Sequence, residues 1–148
     1  MVSSTLDLTA VIPARLGSSR VKYKVLQEVS SGESLLERKV KQLKKVLPSS
    51  NIVVNTESEI IGDIAYRQGV EVCYRDEYYA RGHEATFSEV IMHVIAPIES
   101  EHIAWVPCVV PFFDEVELGE SFEAYDAQVV HGNFDSLISV VTFKEYLW

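Results

Sequence analysis

Short apolar runs of strand-forming residues alternate with helix-like segments along almost the whole chain, and this alternation restricts the fold more than any other feature. Leu6 to Ala14 (LDLTAVIPA) reads as a buried first strand that ends at Pro13 and a Gly17-Ser18-Ser19 turn. Glu33 to Leu47 carries Leu35, Leu36, Val40, Leu43, Val46 and Leu47 at helical spacing, with Pro48 just beyond, so its lysines read as a solvated face. Asn51 to Asn55 is strand-like, Glu57 to Gln68 is helical up to a stop at Gly69, and Val70 to Tyr74 is the next strand. Ala85 to Ile98 is a helix that Pro97 should end, and His102 to Val106 is a fourth strand. Ser121 to Val130 then reads as helix and Asp135 to Val141 (DSLISVV) as a fifth strand. Strand and helix in strict alternation predict an α/β fold with a mostly parallel sheet covered by helices on both faces.

Residues 1–148 are expected to form a single domain, a length sufficient for one core. At 47% hydrophobic and 24% charged residues the chain is globular rather than disordered, and no apolar run is long enough to suggest a membrane span. The N-terminus lacks the pattern of a signal peptide, and Cys73 and Cys108 are too few for a disulfide framework, so a reducing, cytoplasmic setting is expected.

Charge is distributed unevenly. The net charge is −9, yet nine of the thirteen Lys and Arg residues fall between Arg15 and Lys45, and from residue 51 onward eighteen acidic residues face four basic ones. Such a distribution argues against nucleic acid, which rewards an extended basic face, and favours a small anion held at one end of the molecule.

The basic cluster has a definite place. Arg15, Arg20, Lys22 and Lys24 lie within VIPARLGSSRVKYKVL, in the loop that follows the first strand. Ligands of open parallel sheets bind beyond the carboxyl ends of the strands, where small residues let backbone N–H groups approach phosphate oxygens and cations neutralise their charge. The spacing P-A-R-x-G-S-S-R-x-x-x-K is neither the P-loop pattern nor G-x-G-x-x-G. A solvated basic turn is the plain alternative, but solubility does not explain four cations at one strand end.

This loop resembles the signature of the cytidylyltransferases that activate acidic sugars, the CMP-sialic acid synthetase and CMP-Kdo synthetase group, whose pattern runs roughly I-P-A-R-x-G-S-x-R-x-x-x-K. IVVNTESEIIGDIAYRQGVEVCYRD, ARGHEATFSEVIMHVI and FDSLISVV are similar to later stretches of the same family, so the likeness extends from Thr9 to about Val141. The resemblance implies a Rossmann-like three-layer α/β/α fold of the nucleotide-diphospho-sugar transferase type. It also implies transfer of CMP from CTP to a 2-keto acidic sugar, with release of pyrophosphate and help from Mg²⁺. Carried over, it assigns Arg15 and Lys24 to the triphosphate as catalytic cations, has Ser18 and Arg20 complete the phosphate cradle and counts Ala14 among the nucleotide-binding residues. Arg75 would line the nucleotide site, with a surface arginine flanked by Asp76 and Glu77 as the alternative, and Ala85 and Thr86 would approach the cytosine. A homodimer is expected, and neither nucleic acid nor membrane is.

Other candidates are weaker. Thr86 could simply begin a helix, His93 fits a packed histidine better than a catalytic one, and His83 with Glu84 lacks a third metal ligand. Asp114, Glu115, Glu117 and Glu120 read as a solvated acidic loop, and neither cysteine has the neighbours of a nucleophile. The chain departs from the family pattern after the fourth strand. There Pro107, Cys108, Val109, Val110 and Pro111 replace the glutamine and hydroxyl residues of sialic-acid relatives, and the Kdo-type aspartate is missing near Val109. Relatives also carry a further C-terminal segment that this chain is expected to lack. Two alternatives therefore stand beside the cytidylyltransferase: a non-catalytic nucleotide-binding or assembly module of that fold, and a spore-coat-type sugar nucleotidyltransferase.

Overall fold

In a computed structural model, residues 6–141 are described except 19 and 31, which leaves Ser19 of the predicted turn outside the described residues. Four strands form one parallel sheet: β1 (Leu8–Pro13), β4 (Ile52–Thr56), β5 (Glu71–Tyr74) and β6 (His102–Trp105), in the order β5-β4-β1-β6. A small antiparallel pair, β2 (Glu28–Ser30) and β3 (Glu33–Ser34), which the pattern did not foretell, leads into helix α1 (Leu35–Leu43). Helices α2 (Glu59–Arg67), α3 (Phe87–Ile95) and α4 (Glu115–Tyr125) follow. The chain builds outward from β1 through β4 to β5, then crosses back to lay β6 on the other side of β1. The sheet therefore has its switch point between β1 and β6.

Alternation along the strands sorts side chains onto two faces. Leu8, Ala10, Ile12, Ile52 and Val54 point to one face and make a single buried cluster with Leu36, Val40 and Leu43 of α1, Ile61 and Ala65 of α2, and Leu118 and Phe122 of α4. Thr9, Val11, Val53 and Asn55 point the other way. Trp105, in register with Val11, meets Phe87 edge to face at 6.0 Å, which puts α3 on that second face. The predicted three layers are thus present.

Helix ends follow local chemistry. Ser34 with Glu37, Thr86 with Glu89, and Asp114 with Glu117 form capping boxes, and Ser58 caps α2. Gly69 takes the left-handed conformation (φ 71°) that closes α2, as expected.

Three expectations are corrected. The acidic run Asp114 to Glu120 is no loop but the cap and first turns of α4, which begins at Glu115 because the Asp114-x-x-Glu117 box starts it. That helix ends at Tyr125 in a single π turn over Asp126–Val130. Asp135 to Val141 forms no strand: it is exposed and makes no ladder with the sheet. Lys39 does not sit on a solvated face, since its side chain is fully buried and its ammonium donates to the Phe113 carbonyl. No helix among the described residues is long and apolar enough to cross a membrane.

Candidate functional site

The loops after β1, β4 and β5 meet at the carboxyl edge of the sheet around a cleft of about 480 Å³. Arg15, Leu16 and Gly17 line one wall, Glu57 and Ser58 the floor, and Glu77 with Ala80 to His83 the other wall. Arg15 Nη1 donates to the Ala80 carbonyl at 3.0 Å. Its guanidinium lies directly over Gly82, where a methyl group would come within 2.6 Å of Nη1, so the absent side chain makes room for the cation.

The backbone on both sides of Arg15 is tied down. Ala14 N donates to Asn55 O at 2.9 Å, and the Ala14 carbonyl accepts from Arg75 Nη2 at 3.2 Å. Leu16 N donates to Glu57 Oε1 at 2.7 Å, while Glu57 Oε2 pairs with Arg75 Nη2 at 3.4 Å. The side chains of this ion pair are 4% and 13% exposed. Burial pulls the Arg75 guanidinium below its ordinary pKa; Glu57 opposes that shift and the nearby Arg15 adds to it.

Arg75 therefore stands beneath the first loop, engaged with that loop's backbone, and not in the cleft lining where it was expected. It is equally not the surface arginine of the alternative. The remaining candidates separate. Ser18 and Lys24 are half-buried and Arg20 is exposed, all on the first loop but outside the cleft around Arg15. Ala85 is half-buried, and the Thr86 hydroxyl is spent on the α3 capping box: it accepts from Glu89 N and donates to Glu89 Oε2. His93 stacks on Tyr79 at 3.9 Å with the rings 11° apart, a packed histidine. Arg81 pairs with Glu77 at 2.9 Å and Glu84 at 3.5 Å on the exposed rim.

On the far side of β1, the loop after β6 is fastened from α1. Gln42 Nε2 donates to the Pro111 carbonyl at 3.0 Å, Arg38 Nε reaches the same oxygen at 3.4 Å, and Lys39 holds Phe113 O. Lys45 pairs with Glu115. Burial lowers the pKa of Lys39. Cys108, 1% exposed, has its thiol pushed up to about 11 by burial, against the pull of Lys39 and Lys24. It is no nucleophile in that state. Lys24 is thus near enough to the Cys108 thiol to favour its charged form, whereas Arg15 lines the cleft. Sequence patterns passed over Glu57, Ala80 and Gly82; the one available signal was Asn-Thr-Glu at the end of the second parallel strand, level with the first loop.

A four-stranded parallel core, with its cation-bearing loop beside the switch point, defines an α/β protein with a candidate anion site at the carboxyl edge of its sheet. The comparison with solved structures agrees in fold. A CMP:2-keto-3-deoxy-manno-octonic acid synthetase complexed with CTP aligns with a TM-score of 0.67 at 16% identity over 82% of this chain and 48% of that one. A cytidylyltransferase from Leptospira borgpetersenii aligns at 0.65 with 20% identity over 83% and 50%.

The chain belongs to the cytidylyltransferase family, whose profile matches residues 9–143. It is 42% identical over 67 residues to a 3-deoxy-manno-octulosonate cytidylyltransferase from Chlorobaculum tepidum, covering 45% of this chain and 27% of that protein. It is 30% identical over 94 residues to the enzyme of that description from Haemophilus influenzae, covering 62% and 35%. The resemblance to acidic-sugar enzymes is upheld, and the chain spans only about a third of the length of the curated relatives it matches.

Proposed function

We propose that this chain is the nucleotide-binding part of a cytidylyltransferase that transfers CMP from CTP to a 2-keto acidic sugar. The anomeric hydroxyl oxygen attacks the α-phosphorus, the bond from that phosphorus to the bridging oxygen breaks, pyrophosphate leaves, and the hydroxyl proton passes to solvent. Such a displacement asks little covalent chemistry of the protein, and positioned cations supply most of what it needs. Arg15 and Lys24 are assigned to the charge that grows on the leaving pyrophosphate, Ser18 and Arg20 to the rest of the cradle, Ala14 to the nucleotide, and Ala85 and Thr86 to the base.

The observation that carries this reading is the pinned first loop, which turns Arg15 into a cleft of about 480 Å³ at the carboxyl edge of the sheet. The resemblance also implies Mg²⁺. Among the described residues no three His, Cys, Asp or Glu side chains gather into a set that fits it.

A non-catalytic nucleotide-binding module is the second reading, favoured by the β6 loop, where Val109 and Val110 are exposed in place of polar groups and Cys108 is buried. Titration calorimetry with CTP, ATP, GTP and UTP, with and without Mg²⁺, separates the readings. CTP binding with pyrophosphate release on addition of a 2-keto sugar acid supports the transferase, and binding without release supports the module. A preference for another base points to the spore-coat type. Two free cysteines fit a reducing, cytoplasmic setting. A homodimer, proposed from the exposed Phe134, Ile138, Val140 and Val141, is tested by gel filtration.

A further inference from the structure

We propose that Glu57 and Arg75 form a positioning pair that fixes the backbone on either side of Arg15, so that its guanidinium is aimed into the cleft before any anion arrives. The inference rests on the nucleotide reading above and deepens it, giving Glu57 a role and moving Arg75 from contact with the ligand to support of the loop.

Glu57 directly precedes the α2 cap, where the plain expectation for a carboxylate is the helix N-terminus. The contacts lie elsewhere. Ser58 caps the helix by accepting from Ile61 N, and Glu57 turns toward the first loop, where one oxygen holds Leu16 N and the other pairs with Arg75. Arg75 completes the brace on Ala14 O, two residues before Leu16. Residues 14 and 16 are thus bound to one ion pair, and the freedom left to Arg15 is that of its side chain, which rests between Ala80 O and Gly82.

Charge requires the pair as much as geometry does. Arg15 stands close enough to Arg75 to disfavour the charge of that buried guanidinium. The Glu57 carboxylate offsets Arg75, so that Arg15 is the cation the first loop presents to the cleft, with Arg81, paired to Glu77 and Glu84, on the opposite wall. The Leu16 N–H, already donated to Glu57, is not a free phosphate donor. An anion held against the first loop therefore depends on Arg15, and a misplaced Arg15 weakens binding of the phosphates without touching the base.

The test uses the full chain and its Glu57→Ala and Glu57→Gln variants. Amide hydrogen exchange is followed at Leu16, with Val40 and Leu43 of α1 as internal controls, and CTP and cytidine are titrated separately. In Glu57→Ala the Leu16 amide is expected to exchange about tenfold faster or more while α1 is unchanged. CTP affinity is expected to fall about tenfold with cytidine affinity constant. Glu57→Gln keeps an acceptor for Leu16 N and should lose less protection than Ala while still weakening CTP; it carries the test if the alanine variant does not fold. Unchanged Leu16 exchange in both variants overturns the proposal. So does an equal loss of CTP and cytidine binding, which marks general loosening. If the unaltered protein binds no CTP, the nucleotide reading fails, and the Leu16 comparison alone then decides whether the pair fixes the loop.

Discussion

The loops after β1 and β6 leave the same edge of the sheet on adjacent strands, and each is held by a buried cation that donates to a loop carbonyl: Arg75 to Ala14 O, Lys39 to Phe113 O. The chemistry around the two cations differs. Arg75 is paired with the Glu57 carboxylate and supports a loop that turns Arg15 into a polar cleft. Lys39 is bonded to a carbonyl, with the buried Cys108 thiol near it and Asp114 and Glu117 acting on it without direct contact among the described residues, and its loop presents Val109, Val110 and Phe112, the last 89% exposed. The same mechanical device thus serves one loop that displays charge and another that displays apolar surface. The first matches the family pattern and the second departs from it.

The largest test of this contrast is Arg75→Ala. It leaves the Glu57 carboxylate buried without its partner and removes the Ala14 brace, so urea unfolding should show a loss of about 3 kcal/mol or more. A loss under about 1 kcal/mol would break the comparison by showing that the pair is solvated.

Alkaline pH probes the β6 side. The Cys108 thiol titrates at about 11 in the fold and near 9 when unfolded, so the folded state holds more protons between those values and stability must fall as pH rises through that window. This group alone sets a slope of up to about 1.4 kcal/mol per pH unit. Cys108→Ala should remove that component, measured as the difference between the two unfolding curves from pH 8 to 11.

Lys39→Met keeps most of the stem and loses only the bond to Phe113 O, and the relief of burying a charge offsets part of that loss. A cost of about 1 kcal/mol is expected in urea unfolding. A cost equal to that of Arg75→Ala would erase the distinction between a cation bonded to a carboxylate and one bonded to a carbonyl.

Gly82→Ala should move stability least, by about 0.5 kcal/mol, because the methyl meets only the end of a flexible side chain. It should nonetheless push the Arg15 guanidinium off Ala80 O and weaken CTP in calorimetry by about tenfold. Unaltered CTP binding would show that the aim of Arg15 does not matter.

Much of the fold was legible because strand and helix periods are local. LDLTAVIPA, NIVVN, VEVCY and HIAWV all fall on strands of the parallel sheet, and Gly69 closes its helix. The start of α4 was also written locally, in Asp114-x-x-Glu117, but the acidic run around it looked like a loop. DSLISVV has strand-forming residues, yet propensity does not supply a neighbouring ladder, and this segment pairs with none.

The site was legible as charge and not as direction. Residue types and their spacing sufficed for a parallel α/β sheet and for a cation-rich loop beyond its first strand, since both depend on steric and hydrophobic preferences within a few residues, while the family was legible only through the likeness of its loop motif. Folding then sent Arg15 into the cleft, Arg75 beneath the loop, Lys24 toward Cys108 and Lys39 into the interior. Those four positively charged side chains look alike along the chain. Their fates diverge because each depends on partners from distant segments, Ala80, Glu57, Cys108 and Phe113, which meet them only once the helices have packed on the sheet.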